Sequence, residues 1–295
     1  MESRIPRLLL TTLAAMTTLL QGCTSLFFYP DQQTYLTPDR LELTYEDVWI
    51  DTPDGETLHA WWLPAEGEAR GHVYFLHGNA QNISSHILNV AWLPEEGYNV
   101  LLLDYRGYGR SSGEIDLEGA LIDSEAGLRW LEANRETQQL PVYMLGQSLG
   151  GALAIILASD WVSRGNEPPL SGLIADSTFS GFRAIAREKL GDFWLTWPIQ
   201  IPLSWTVTDQ YEPIDKIADI SPVPVIIVHS VKDGIIPTHH GLRLYEAARE
   251  PKRFRRTDMP HGGAFMLPEY RQAVLDFMEE HDSPRNDAEE KANKN

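Results

Sequence analysis

The 295-residue chain carries one cysteine, Cys23, and a formal charge of −18. A lone cysteine excludes an internal disulfide, and so acidic a balance excludes nucleic acid as a partner, because phosphate binding needs clustered Lys and Arg. With 43% apolar residues and nine tryptophans, the chain can fill the core of one large α/β domain or two small ones.

In chain order, Arg4 and Arg7 precede an apolar run, Leu8 to Leu20, broken only by Thr, which leads into Leu20-Gln21-Gly22-Cys23. The run is short for a transmembrane helix. The order of basic start, apolar run, small residue and cysteine resembles a bacterial lipoprotein signal, residues 1–22, with lipid added to Cys23. That resemblance implies a membrane-held protein. Thr24, rather than Asp, after the cysteine implies the periplasmic face of the outer membrane in a Gram-negative cell. An uncleaved N-terminal anchor is the competing reading. Residues 23–43 have two prolines and little periodicity between Ser25 and Arg40, and read as a tether.

From about residue 44 the pattern becomes regular. Tyr45–Asp51 and Thr57–Leu63, joined through Pro53-Asp54-Gly55, read as a hairpin at a sheet edge. Gly71–His77 and Val100–Leu103 are short apolar runs expected to be buried strands. Between them, Ile83, Ile87, Val90 and Leu93 have helical spacing over Asn82–Glu96. A helix over Asp116–Asn134, a strand over Val142–Leu145 and a helix over Leu149–Ser163 follow, then a strand over Gly172–Asp176. The last elements are a strand over Val223–His229, a helix over Thr238–Arg249, a strand over Arg253–Asp258 and a helix over Met266–Glu280. This alternation predicts an α/β domain over 44–281, with a mostly parallel central sheet and helices on both faces. The polar tail, 282–295, reads as disordered. Only 177–221 breaks the rhythm. It holds Phe179, Phe182, Phe193, Trp194, Trp197 and Trp205, and predicts a small cap insertion over the site; a long crossover with its tryptophans in the core is the alternative.

Leu140–Gly151 carries the chemistry. Gly146, Ser148 and Gly150 fit G-x-S-x-G between a strand and a helix, the layout that projects a serine hydroxyl above a sheet while glycines make room for the turn. A serine needs a base, and the base needs an acid to fix its tautomer. Asp233 follows the Val223–His229 strand, and His261 lies just before the last helix.

Together with His77-Gly78-Asn79-Ala80, the Asp104–Gly109 loop and Gly146–Gly151, this order resembles the α/β-hydrolase superfamily, in the serine-hydrolase branch carrying HGNA and GQSLGG. The resemblance covers about Thr44 to Glu280. It implies Ser148 as nucleophile, His261 as base and then acid, Asp233 as its orienting acid, and the backbone N–H groups of Asn79 and Leu149 as oxyanion hole. It also implies a carboxylic ester or thioester substrate, or a peptide amide as in the aminopeptidase-like relatives. Some eukaryotic relatives remove palmitate from proteins. No cofactor or metal is expected.

Competing readings of single residues are Asp176 as the acid, since it too ends a strand, and His77 as catalytic rather than as shaping its loop. Arg106 and Asp104 are expected to pin a loop, and Ser111 and Ser112 to be loop polar groups. His239 and His240 show no nearby carboxylate pattern in the sequence. An amide hydrolase would need a carboxylate to hold the substrate amine, with Glu188, Asp192, Asp209 and Glu212 available. A non-catalytic lipoprotein binding an acyl chain or partner is the remaining class.

Overall fold

The computed structural model describes residues 28–134, 140–165, 169–192, 195–207 and 209–281. The signal-like segment, Cys23, Phe193, Trp194 and the tail from 282 lie outside them. The strands are β1 (Tyr29–Pro30), β2 (Glu46–Asp51), β3 (Thr57–Leu63), β4 (Gly71–Leu76), β5 (Ala80–Gln81), β6 (Tyr98–Leu103), β7 (Val142–Gln147), β8 (Leu170–Asp176), β9 (Val225–Ser230) and β10 (Lys252–Thr257). Eight of them form one sheet in the order β10-β9-β8-β7-β4-β6-β3-β2. Only the pairs β2–β3 and β3–β6 are antiparallel, so the expected hairpin does lie at the edge.

The strands that read as unbroken apolar runs are the ones buried on both faces. Along β4, Tyr74 and Leu76 enter one core while Val73 and Phe75 enter the other. In β7, Met144 and Tyr143 divide the same way, as the two-residue period of a strand requires. The helices are α1 (Ile83–His86), α2 (Leu117–Asn134), α3 (Leu149–Ser163), α4 (Phe182–Asp192), α5 (Gln200–Ser204), α6 (Pro213–Lys216), α7 (His239–Ala247) and α8 (Pro268–Glu279). Helix α3 is apolar around most of its girth and buried almost throughout, so it can pack against the sheet and also carry other helices on its back. Among the described residues, no helix is long and apolar enough to cross a membrane.

Two expectations change. Asn82–Glu96 is not one helix. Asn82 accepts a hydrogen bond from Ser84 N and starts α1, which passes at Ile87–Asn89 into a 3₁₀ turn and then into further turns. Pro94 cannot continue a helix, and Asn89 turns inward to donate to Gln147 Oε1 at 3.2 Å. The four apolar residues that suggested a helix are all buried regardless. The second change concerns the tether. From Phe28 on, it is seated on the domain. β1 pairs in parallel with β5, and Asn82 Nδ2 donates to the carbonyls of Asp31 and Gln33. Phe28 is buried and Pro38–Leu41 forms a 3₁₀ turn. The sequence carries no periodicity here because the contacts come from backbone groups and single side chains.

Between β8 and β9, the segment expected as a cap holds α4, α5, α6 and two 3₁₀ turns. Trp197 and Trp205 are 62% and 66% exposed, which rules out the reading that places them in the core.

Candidate active site

Ser148 is the single residue between β7 and α3, with φ 53° and ψ −115°. A non-glycine residue in this region is strained by about 1–3 kcal/mol and persists only where its surroundings enforce it. Here Ser148 N donates to Asp176 O at 2.8 Å, and Thr178 Oγ1 donates to Ser148 O at 2.6 Å. The flanking glycines are obligatory. A Cβ at Gly150 would lie 2.0 Å from the Leu76 carbonyl oxygen, and one at Gly146 2.3 Å from that of Gly150.

The HGNA loop leaves β4 beside this turn. His77 is fully buried, burial holds its pKa well below the usual range, and Nδ1–H donates to Gly78 O at 2.7 Å. It therefore shapes the loop as a neutral ring. Tyr108 OH donates to Asn79 O at 2.7 Å, and Tyr29 N, from β1, donates to Asn79 Oδ1 at 3.1 Å. Neither Asn79 N–H nor Leu149 N–H donates to another group among the described residues. The Leu149 amide is free because it opens a helix.

Asp233 and His261 meet as expected. Asp233 Oδ2 lies 2.7 Å from His261 Nδ1, and Oδ1 accepts from Ile235 N and Ile236 N at 2.8 Å each. Burial alone would raise the Asp233 pKa, but the His261 hydrogen bond and charge, with the two amides, hold it below the usual carboxylate range. An ionised acceptor keeps the imidazole proton on Nδ1 and leaves Nε2 as the basic nitrogen. Ser148, Leu149, Asn79 and His261 line one cavity of about 780 Å³, walled on the cap side by Leu190, Thr196, Leu203 and Val207. The Ser148 hydroxyl makes no hydrogen bond to another described group in this unliganded state, in which such catalytic contacts are often still open.

The competing assignments separate cleanly. Asp176 accepts from Ser177 Oγ at 3.0 Å, not from His261. It is wholly buried, one oxygen has no partner, and burial pushes its pKa up to about 7. Arg106 spans Asp123 and Asp54 at 2.8 Å each, and Asp104 accepts from Ile83 N, so both pin loops. Ser111 and Ser112 bond to Asp104 O and Glu56. For His239 and His240 the fold supplies a carboxylate that the sequence reading lacked. Glu188, from α4, meets their Nε2 atoms at 2.9 and 3.1 Å. Burial pushes the His240 pKa down to about 4, and its Nδ1 accepts from Ser180 N at 3.1 Å. The proton of that neutral ring is therefore on Nε2, aimed at Glu188, where a metal ion would need a free lone pair.

Gln147 escaped sequence reasoning. Its Oε1 accepts from Asn89 Nδ2 at 3.2 Å and lies 2.8 Å from His86 Nδ1, while Nε2 donates to Gly262 O at 3.0 Å, tying the elbow to the residue after His261. A polar side chain at the end of an apolar strand was its only trace.

The buried Asp176 gives a pH prediction. An unfolded chain releases this proton near pH 4, whereas the folded one keeps it until about pH 7. Stability should therefore fall as pH rises through that window, by at most about 4 kcal/mol. Asp176→Asn should remove that loss, so its advantage in urea unfolding grows from pH 4 to pH 8. Parallel profiles for the two proteins would refute the assignment.

Comparisons with known proteins agree with this fold. Residues 67–213 match the profile of the family described as serine aminopeptidase, S33, a span that includes Ser148 and stops short of Asp233 and His261. The uncharacterized protein YfhR of Escherichia coli K12 is 32% identical over 269 residues, covering 88% of each chain. The α/β hydrolase domain-containing protein WAV2 of Arabidopsis thaliana is 33% identical over 228 residues, covering 74% of this chain and 71% of that one. An esterase of Pyrococcus furiosus shares the fold, with a TM-score of 0.69 at 22% identity over 87% of this chain and 98% of its own. The sheet topology and these relatives together establish that the chain belongs to the α/β-hydrolase superfamily.

Proposed function

We propose that the protein is a serine hydrolase that cleaves a carboxylic ester or thioester through an acyl-enzyme. Ser148 Oγ attacks the carbonyl carbon while His261 Nε2 takes its proton. The oxyanion is received by the N–H groups of Asn79 and Leu149. His261 then returns the proton to the departing alcohol or thiol, and water, deprotonated by the same nitrogen, releases the acid. The observation that carries this reading is that Ser148, on its strained turn, opens into the same apolar cavity as a histidine fixed by Asp233.

The cavity also supports an acyl or aryl substrate over an amine-bearing one. Its only charged lining residue among those described is Lys189. None of the carboxylates considered for an aminopeptidase lines this cavity; Glu188 pairs with the two histidines and Asp209 with Arg183. A panel of p-nitrophenyl esters of graded length, acyl-thioesters and aminoacyl anilides tests this. Turnover confined to the esters and thioesters is expected, and preference for the anilides would overturn it.

The N-terminal sequence supports a lipid anchor on Cys23 in the cell envelope. Cys23→Ser should move the protein from the salt-washed membrane pellet to the supernatant. A mutant that still sediments would remove the anchor from the reading.

A further inference from the structure

The cap has two faces. Its inner face lines the cavity, whereas Leu195, Trp197, Ile199, Ile201 and Trp205 all point into solvent, each at least 43% exposed. Five large apolar side chains exposed within eleven residues are a concentration of apolar surface that calls for a partner. Tryptophan is the side chain most at home where one end is apolar and the other wet.

Beside this face runs a second groove of about 480 Å³, with Ile201 and Trp205 in its wall and Arg183, Arg187 and Arg243 along it. Asp209 pairs with Arg183, and Glu212 accepts from Arg183 N. Arg187 and Arg243 have no acidic partner among the described residues. In a chain with 42 acidic residues against 24 basic ones, two cations left unpaired beside an apolar face match a phosphate bordering an acyl layer.

The third observation is where the chain enters. Tyr29, 64% exposed, lines the mouth of the substrate cavity. Cys23 lies five residue steps before Phe28, a reach of about 17 Å when extended, and the apolar run Leu8–Leu20 precedes it. Whatever holds this end at a membrane brings the cavity lip there too.

We propose that the outer face of the cap, residues 195–205, seats on a phospholipid bilayer, with Trp197 and Trp205 at headgroup depth and the arginine groove on a lipid phosphate. An acyl chain then passes from the bilayer under the cap to Ser148 without crossing water. Only that last step rests on the hydrolase reading.

The test uses the full chain on phosphatidylcholine vesicles with acyl chains brominated near the headgroup. The segment before Phe28 contains no tryptophan, so it contributes no signal. Wild-type emission should be quenched relative to unbrominated vesicles, and the double variant Trp197→Phe/Trp205→Phe should lose most of that quenching. Equal quenching in both proteins overturns the proposal. So does quenching that is absent while light scattering shows a dimer, since a second copy would then cover the face. In a kinetic arm, Trp197→Gln/Trp205→Gln should lower hydrolysis of a long-chain ester held in vesicles at least about ten-fold, the equivalent of about 1.4 kcal/mol. Hydrolysis of a soluble short-chain ester and fluorophosphonate labelling should not change. An equal fall on both esters overturns the docking role. A wild type that neither hydrolyses nor labels defeats the hydrolase reading instead, and leaves the quenching result to decide docking.

Discussion

Ser148→Ala is expected to lower ester turnover roughly 10⁶-fold and to abolish covalent labelling by a fluorophosphonate, with no fall in melting temperature. The size of the effect follows from what the hydroxyl does. It supplies the electron pair that forms the acyl-enzyme, and the threonine hydroxyls that share the cavity do not replace it, because Thr196 and Thr206 donate to the backbone carbonyls of Leu190 and Leu203. A residual rate of about 10³–10⁴ over water would come from the free amides of Asn79 and Leu149 acting on a bound carbonyl. Unchanged stability follows from a separate fact. The hydroxyl has no hydrogen-bond partner among the described residues, while the backbone groups that enforce the turn, Ser148 N and O, stay bonded to Asp176 O and Thr178 Oγ1. Retained labelling in the variant would place the nucleophile elsewhere.

Asp233→Asn should cost about 10⁴-fold in kcat at neutral pH, with a smaller change in KM. The two amides of Ile235 and Ile236 already claim Oδ1, so an asparagine keeps its oxygen there and turns its NH₂ toward His261 Nδ1. The ring then has to accept at Nδ1 and carry its proton on Nε2, which leaves nothing to deprotonate Ser148. Asp233→Ala removes the wrong donor but also leaves the amides of Ile235 and Ile236, the second partly buried, without their acceptor, so it should lose stability as well, by about 1 kcal/mol. A kcat that survives in Asp233→Asn would transfer the orienting role to another acid, and Asp176→Asn would then be the variant to lose activity. Measuring both distinguishes the two carboxylates by function rather than by position.

Most of the sheet was legible because its strands are short, apolar and buried on both faces, a pattern that needs no partner to be recognised. The elbow was legible for a steric reason: residues 146 and 150 have room only for hydrogen. Asp233 and His261 were picked out from their order and loop positions, and the fold brings them within 2.7 Å of each other. What escaped were contacts that depend on where the chain returns. Nothing near Gln147 in sequence announces that its amide reaches Gly262, over a hundred residues on. Nothing near His239 announces Glu188. The Asn82–Glu96 misreading has the same origin. Apolar spacing reports which side chains are buried, and here they are, yet a proline and an inward-facing asparagine prevent the regular helix that would also have buried them. The stretch 28–35 was missed because backbone-to-backbone pairing leaves no mark on side-chain pattern.

That first short strand gives the molecule an unexpected weak point. Tyr29 and Pro30 clasp Ala80 and Gln81, and the same tyrosine amide steadies Asn79. A protease nick just after Pro30, far from Ser148 in sequence, would leave nucleophile, base and acid untouched yet slacken the loop that must greet the oxyanion. Mechanical pull on the leading end of the chain would reach that loop by the same route, through the pairing of Tyr29 and Pro30 with Ala80 and Gln81.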